Sequence, residues 1–238
     1  IIVFIQQRSA RRLDVGKAAL YHAEALRDQE LEAFATTLPV LEGDLIKDTL
    51  SSVPAKTEEE KLSREQMKKE MQTRKQMERA RFAPLDVNAK FTGSVAQFKA
   101  IAEGQVPEAR GTRVEFAARL ELGDLYADHG NSEMALNWYQ KATELAPGDL
   151  ERIHAAMAVG VQMENLGKFA DARGVYEKAL ASVGTLASSK GELLLAIGRT
   201  SVNMKDVARA KTVYDQILSQ LPNSEAARMA EAFKAQIQ

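Results

Sequence analysis

Cysteine is absent from this 238-residue chain. That removes disulfides, thiolate metal sites and a cysteine nucleophile, and it leaves the redox compartment open. Proline (6 residues) and aromatics (6%) are scarce. The bulk is Ala, Leu, Glu, Lys, Gln and Arg, all good helix formers. No run approaches the roughly 20 apolar residues that span a bilayer. Neither charge sign is in excess: 32 Lys+Arg oppose 33 Asp+Glu. Nothing global therefore favours nucleic acid or an anionic membrane as partner. With 45% hydrophobic and 27% charged residues, the chain is neither disordered throughout nor collagenous. Its length permits one or two domains around a sizeable core.

Catalytic signatures are missing as well. There is no Gly-rich phosphate loop, no nucleophile elbow and no metal motif. His22, His129 and His154 have no paired spacing. Asp124 and Asp128 share a helical face, but a carboxylate pair without a partnered base or metal ligand reads as surface charge. The expectation is a non-catalytic protein without cofactor or metal.

What is present is an internal repeat. From Phe116 to Asp149 the landmarks are Leu122, Gly123, Tyr126, Gly130, Ala135, Tyr139, Ala142 and Pro147. They recur from Ile153 as Gly160, Gly167, Ala172, Tyr176 and Ala179, and from Gly191 as Ile197, Gly198, Ala210, Tyr214 and Pro222. The Gly, Ala and Tyr landmarks are each separated by 37 and then 38 residues. Three landmarks sharing two spacings point to one supersecondary unit used three times. Gly123 opposite Ala135 lets two antiparallel helices cross closely, with Tyr126 and Tyr139 filling the space on either side. Gly130 permits the turn, and Pro147 ends the second helix.

These landmarks resemble the tetratricopeptide repeat at each of its signature positions. The resemblance implies an all-α, right-handed α-solenoid, with repeats over 116–149, 153–186 and 191–224. Ser224 or Asn223 caps a closing helix over 224–237. The usual period is about 34 residues, so the connections between repeats are expected to be three or four residues longer. Met163 and Ser201 replace the aromatic at position 11, and Gly184 replaces the proline of the second repeat.

Upstream, Val95, Phe98, Ile101 and Ala102 line one side of a helix over Ser94–Glu103. Pro107 follows, as in the second half of a degenerate repeat over 91–110. Its first half is sought in residues 1–39. There Ile5, Leu13, Gly16, Leu20, Ala23, Leu31, Phe34 and Leu38 share one face, interrupted by Ser9 and Arg27. This predicts a long helix to about Thr36. Between them lies a charged insertion over 40–90, with a linker at Ser51–Pro54. Thr57 and Glu60 form a capping box, and a helix is expected from there to Phe82. Glu65–Lys69 and Glu70–Arg74 are i,i+4 pairs of a solvated helix. Met67, Met71 and Met77 suit a partner-binding arm instead.

The chain opens Ile1-Ile2-Val3-Phe4-Ile5 and turns polar at Gln6. This run is either the stub of a membrane anchor upstream of Ile1 or five residues packed in a core. Arg8, Arg11 and Arg12 argue mildly against an extracytoplasmic soluble part. The apolar start, the long helix, the Phe98–Pro107 element and the run Ala118-Arg119-Leu120-Glu121-Leu122-Gly123 together resemble a narrower group. This is the bacterial membrane-anchored family of the ancillary Sec translocon subunit. That resemblance implies an inner-membrane protein with a periplasmic repeat domain that assists secretion or envelope assembly. The alternative is a cytoplasmic assembly protein that oligomerises, as a homodimer, through its N-terminal helix and charged arm.

In tetratricopeptide proteins, positions 2, 5, 9, 12 and 13 of each first helix line a concave groove that holds a peptide or helix. Here the resemblance assigns Leu120, Asp124 and Asp128 to it from the first repeat. The second repeat supplies His154, Met157, Val161, Glu164 and Asn165, and the third Glu192, Leu195, Arg199, Val202 and Asn203. Members that bind a peptide carboxylate place Lys and Asn where Leu120 and Asp124 stand, so an acidic C-terminal tail is not the expected ligand. Leu120, Met157, Val161, Leu195 and Val202 form an apolar strip suited to an amphipathic helix or extended apolar segment. A basic residue would lie near Asp124 and Asp128. The strip is otherwise covered by the chain's own N-terminal or insertion helix.

Overall fold

A computed structural model describes residues 2–37, 85–182 and 187–237. The described residues form ten helices. The first, α1 (Ile2–Thr37), is followed after residue 84 by the short α2 (Val87–Lys90) and by α3 (Thr92–Ala102). Three helix pairs come next: α4 (Arg113–Asp128) with α5 (Ser132–Leu145), α6 (Asp149–Asn165) with α7 (Phe169–Ser182), and α8 (Ala187–Asn203) with α9 (Val207–Gln220). The last helix, α10 (Glu225–Gln236), covers α9 and the edge of α8. Each helix packs on the next in sequence, while α1 packs on α3 and touches α4. The first helices α1, α4, α6 and α8 make one layer, and α3, α5, α7 and α9 make the other. This is the all-α tetratricopeptide solenoid that the repeat landmarks imply. The charged helix expected after Thr57 and the Gly184 position lie outside the described residues.

The long helix and its apolar face are present from Gly16 onward. Ala23 is fully buried, and Ala19, Leu20, Leu31 and Phe34 pack on the same core as Phe91, Val95 and Phe98. Arg27, which breaks that face in sequence, reaches Glu121 on α4 and pairs with it. α1 and α3 thus pack as a pair, although more than fifty residues separate them. Expected at Ser94, α3 begins at Thr92. Phe91, its N-cap, gives it no side-chain bond. The carboxylate of Glu30 on α1 does so from across the pair. It accepts from the amides of Gly93 (2.7 Å) and Ser94 (3.1 Å) and from the Ser94 hydroxyl (2.5 Å). Free first-turn amides and the positive end of the helix dipole favour an anion there.

The extra residues of the long period do not lengthen the connections, contrary to the sequence expectation. Only residues 146–148 join α5 to α6. Instead α6 starts four residues before Ile153, the first residue of the second repeat, and α8 starts four before Gly191. Four residues are about one helical turn, so each first helix is extended at its start. Asp149 and Glu151 in the first turn of α6 suit its dipole.

At each crossing a tyrosine, rather than the alanine, lies against the glycine. A Cβ on Gly123 would sit 2.3 Å from the Tyr139 ring, on Gly160 2.2 Å from Tyr176 and on Gly198 2.3 Å from Tyr214. Ala135, Ala172 and Ala210 are fully buried one turn earlier on the second helix. Ser201, replacing an aromatic, is fully buried and donates to the Ile197 carbonyl at 2.8 Å. A buried ion pair ties the first repeat together. Arg119 donates to the carbonyls of Ala102 (3.2 Å) and Lys141 (2.6 Å) and to the Glu115 carboxylate. Glu115 also accepts from the Gly111 amide at 2.6 Å.

The turns inside the pairs share one geometry. Asn131 donates to Tyr126, Lys168 to Met163 and Asp206 to Ser201, each 2.8 Å to the carbonyl five residues back. This is the Schellman closure, which needs a left-handed residue just before the donor. Gly130 (φ 76°) and Gly167 (φ 72°) supply it, but the third turn uses Lys205 (φ 61°).

The backbone geometry sets the sign of three substitutions. Gly160→Ala should lower stability by about 1–3 kcal/mol through overpacking on Tyr176. Gly174→Ala in α7, where an added Cβ meets nothing within 4 Å, should raise it by about 1 kcal/mol through helix propensity. Equal responses in thermal melts of the two variants would contradict the crossing geometry. Lys205→Gly should stabilise by about 1 kcal/mol because a side chain is strained in the left-handed region. Urea denaturation of this variant gives the sign directly.

Candidate partner-binding groove

The groove residues inferred from the repeat register all lie on the layer of first helices. Asp124, Asp128, His154, Val161, Asn165, Glu192, Arg199 and Asn203 are exposed. Leu120, Met157, Glu164 and Val202 are half-buried. Leu195 is buried within the C-terminal core, among Leu193, Leu194 and Ile197. The apolar strip is therefore narrower than its residues suggest. Val161, at 37% exposure, is its open point, while Leu120, Met157 and Val202 turn mostly into the core.

Polar groups organise this face more than the strip does. The tyrosine that lies over each glycine carries its hydroxyl through to the first-helix layer. Tyr139 donates to Asp124 at 2.6 Å, and Tyr176 donates to Glu164 at 2.7 Å. Burial, then the hydrogen bond to the carboxylate, pushes both phenols well above the usual tyrosine range. Glu164 also accepts from Arg199 on the next first helix, through Nε at 3.0 Å and Nη2 at 2.7 Å. That hydrogen bond raises the Arg199 pKa despite burial. Tyr214 has Arg199 nearby instead of a carboxylate, and burial outweighs the arginine's downward pull. Thus Glu164 and Arg199 join the second and third repeats, and Arg27 and Glu121 join α1 to the first.

The N-terminal end of this face is acidic. Burial pushes the Glu121 carboxyl up; Arg27 pulls it down, and Asp124, Glu24 and Asp28 push it up again. Those influences place Glu24 and Asp28 of α1 in the same electrostatic neighbourhood as Asp124. Sequence reasoning missed the α1 contribution and the tyrosine hydroxyls. The signal for the tyrosines was their shared spacing, but a repeated aromatic reads first as packing. Nothing in the sequence announced that Glu24 and Asp28 act on Glu121 together with Asp124.

Among the described residues, no group of His, Asp and Glu side chains is arranged to hold a metal ion. None of the described helices is long and apolar enough to cross a membrane.

A layer of helix pairs closed by glycine–tyrosine crossings defines a repeat scaffold. The chain carries tetratricopeptide repeats: two family models described as tetratricopeptide repeat match residues 116–149 and 192–224. Protein O-mannosyl-transferase TMTC1 of Homo sapiens is 28% identical over 103 residues, covering 43% of this chain. The match spans 11% of that protein's length, so the likeness concerns one stretch of it. Tetratricopeptide repeats are typical of non-catalytic scaffolds for protein–protein interaction.

The Tyr176–Glu164–Arg199 network gives a measurable coupling. Tyr176→Phe should cost about 1 kcal/mol, and Glu164→Gln about 1–2 kcal/mol because Arg199 loses its charge partner. The double variant should be milder than the sum by at least about 0.5 kcal/mol. Strict additivity in urea unfolding would show that the three groups do not act together.

Proposed function

We propose that this chain is a non-catalytic scaffold whose first-helix layer captures a helical or extended segment of a protein partner. The observation that carries the reading is the openness of this layer: α1 packs on α3 and touches α4, while Val161, His154 and Asn203 remain exposed. The surface pairs a small apolar centre with an acidic end formed by Asp124, Asp128, Glu24 and Asp28. A fitting ligand is an amphipathic segment with Leu- or Ile-like side chains over Val161 and Met157 and a Lys or Arg toward Asp124. Apolar anchors give such a segment affinity, and the charges set its direction.

Placement in a bacterial cell envelope, with a role in secretion or assembly, rests on the resemblance of the N-terminal half to the Sec ancillary family. The second reading is an assembly protein that pairs through its N-terminal helix. It is favoured by Tyr21 and Val15 on α1, 74% and 52% exposed. Around 20 apolar residues encoded upstream of Ile1 would support the envelope reading and weigh against a cytoplasmic one.

A photo-crosslinking amino acid at Val161 should trap a protein partner in cells, and one at Val207 on α9, similarly exposed, should not. Val161→Glu with Asp128→Lys should reduce capture at least tenfold while the melting temperature is kept. Undiminished capture by this folded variant would eliminate the groove as the working surface.

A further inference from the structure

Three aromatic rings from distant parts of the chain meet at the turn after α4. His129 stacks on Phe91 with centroids 4.8 Å apart and an interplanar angle of 27°. Phe34 of α1 meets His129 edge-on at 5.7 Å and 88°, and meets Phe91 at 5.9 Å and 70°. The backbone joins in. Leu85 donates its amide to the His129 carbonyl at 3.1 Å, and the Asn131 side-chain amide donates to the Leu85 carbonyl at 2.6 Å. The imidazole Nε2 is buried without a hydrogen-bond partner. A neutral imidazole tolerates this, because one ring nitrogen carries no proton. A protonated one has an N–H at both positions, and a buried charged donor without acceptor is costly. Stacking on a phenyl face returns only part of that cost.

We infer that His129 is a pH-sensitive latch: neutral, it holds the end of α1 against the first complete repeat, and protonation releases it. On its own helix, Asp128 favours the charged form. On α1, Glu30 is committed to the amides of Gly93 and Ser94, and Glu32 is exposed. In the segment from Leu85 to Phe91, Asp86 caps the Ala89 amide and Lys90 is exposed. On α3, Lys99 reaches Asn88. Of these, Asp128 acts on the imidazole, and burial outweighs it, so the pKa lies below the ordinary 6.5. The docked state therefore binds fewer protons than a released one between the depressed value and 6.5. Docking has full strength above pH 6.5 and weakens as pH falls through that window. Release uncovers the apolar face of α1 around Ala23 and Phe34, and its partner face on α3.

Hydrogen exchange of the whole chain at pH 7.5 and 5.5, corrected for intrinsic amide rates, tests this. Peptides from residues 16–37 and 92–102 should open several-fold more at pH 5.5, with a ceiling of about tenfold per pH unit. Those from α8 and α9 should not change. His129→Phe keeps an aromatic ring and removes the proton site, so it should abolish the difference. An undiminished pH response in His129→Phe would overturn the latch. If that variant does not fold, NMR titration of the unaltered imidazole decides. A value below 6.5 supports the latch, and one at or above it overturns it.

Discussion

The contact on which the remaining architecture depends is a tyrosine ring laid across a glycine. At Gly123, Gly160 and Gly198 the ring occupies the volume of a missing side chain, at distances no Cβ would permit. That brings the two helices of a pair together and fixes their depth of engagement. It also gives the ring a direction. With its edge pressed on the opposing backbone, its hydroxyl emerges on the far layer, where Asp124 and Glu164 receive it. One side chain per repeat thus closes the pair, and in the first two repeats it also holds a carboxylate of the first-helix layer.

Between pairs, spacing is held by ion pairs. Arg27–Glu121, Arg113–Glu151 and Arg199–Glu164 link neighbouring first helices. Arg173–Asp206 and Arg209–Glu177 do the same on the second layer, and Lys234–Asp215 ties α10 to α9. Most are partly exposed, and exposed pairs each contribute little to stability. Their effect is better described as angular. A bond on both layers limits how far one pair can rotate against the next, and the curvature of a solenoid accumulates from such small rotations. The Arg199–Glu164 pair belongs to both descriptions, since Glu164 also anchors Tyr176.

How much was legible in the sequence depended on whether the signal was periodic. Gly, Ala and Tyr at common spacings identified the helix pairs, and of Asn223 and Ser224 it is Ser224 that caps the closing helix. Tertiary exceptions were not legible. Lys205 stands where two glycines stand in the other turns, and its conformation is imposed by the Schellman closure rather than by its own preference. Glu30 caps a helix more than sixty residues away, which no local capping pattern reveals. Leu195 sits at a groove position by register but is buried, because the C-terminal core closes around it. His129 looked like an isolated histidine, since its neighbours Phe34 and Phe91 are remote in sequence. The apolar face of α1 was visible, and its need for a partner followed from hydrophobicity alone. That partner is α3, more than fifty residues further along the chain.

The pairing of α1 with α3 also has a consequence for the ribosome. Every other pair is made of consecutive helices, so each is complete soon after its second helix is translated. The first pair is different: 54 residues separate Thr37 from Thr92. At bacterial or eukaryotic elongation rates of roughly 5–20 residues per second, α1 waits about 3–10 seconds before its partner exists. During that interval Ala23, Leu31 and Phe34 have no α3 to bury them. Among the described pairs, the first therefore closes longest after its own first helix is made, because in the others the second helix follows the first within a few residues.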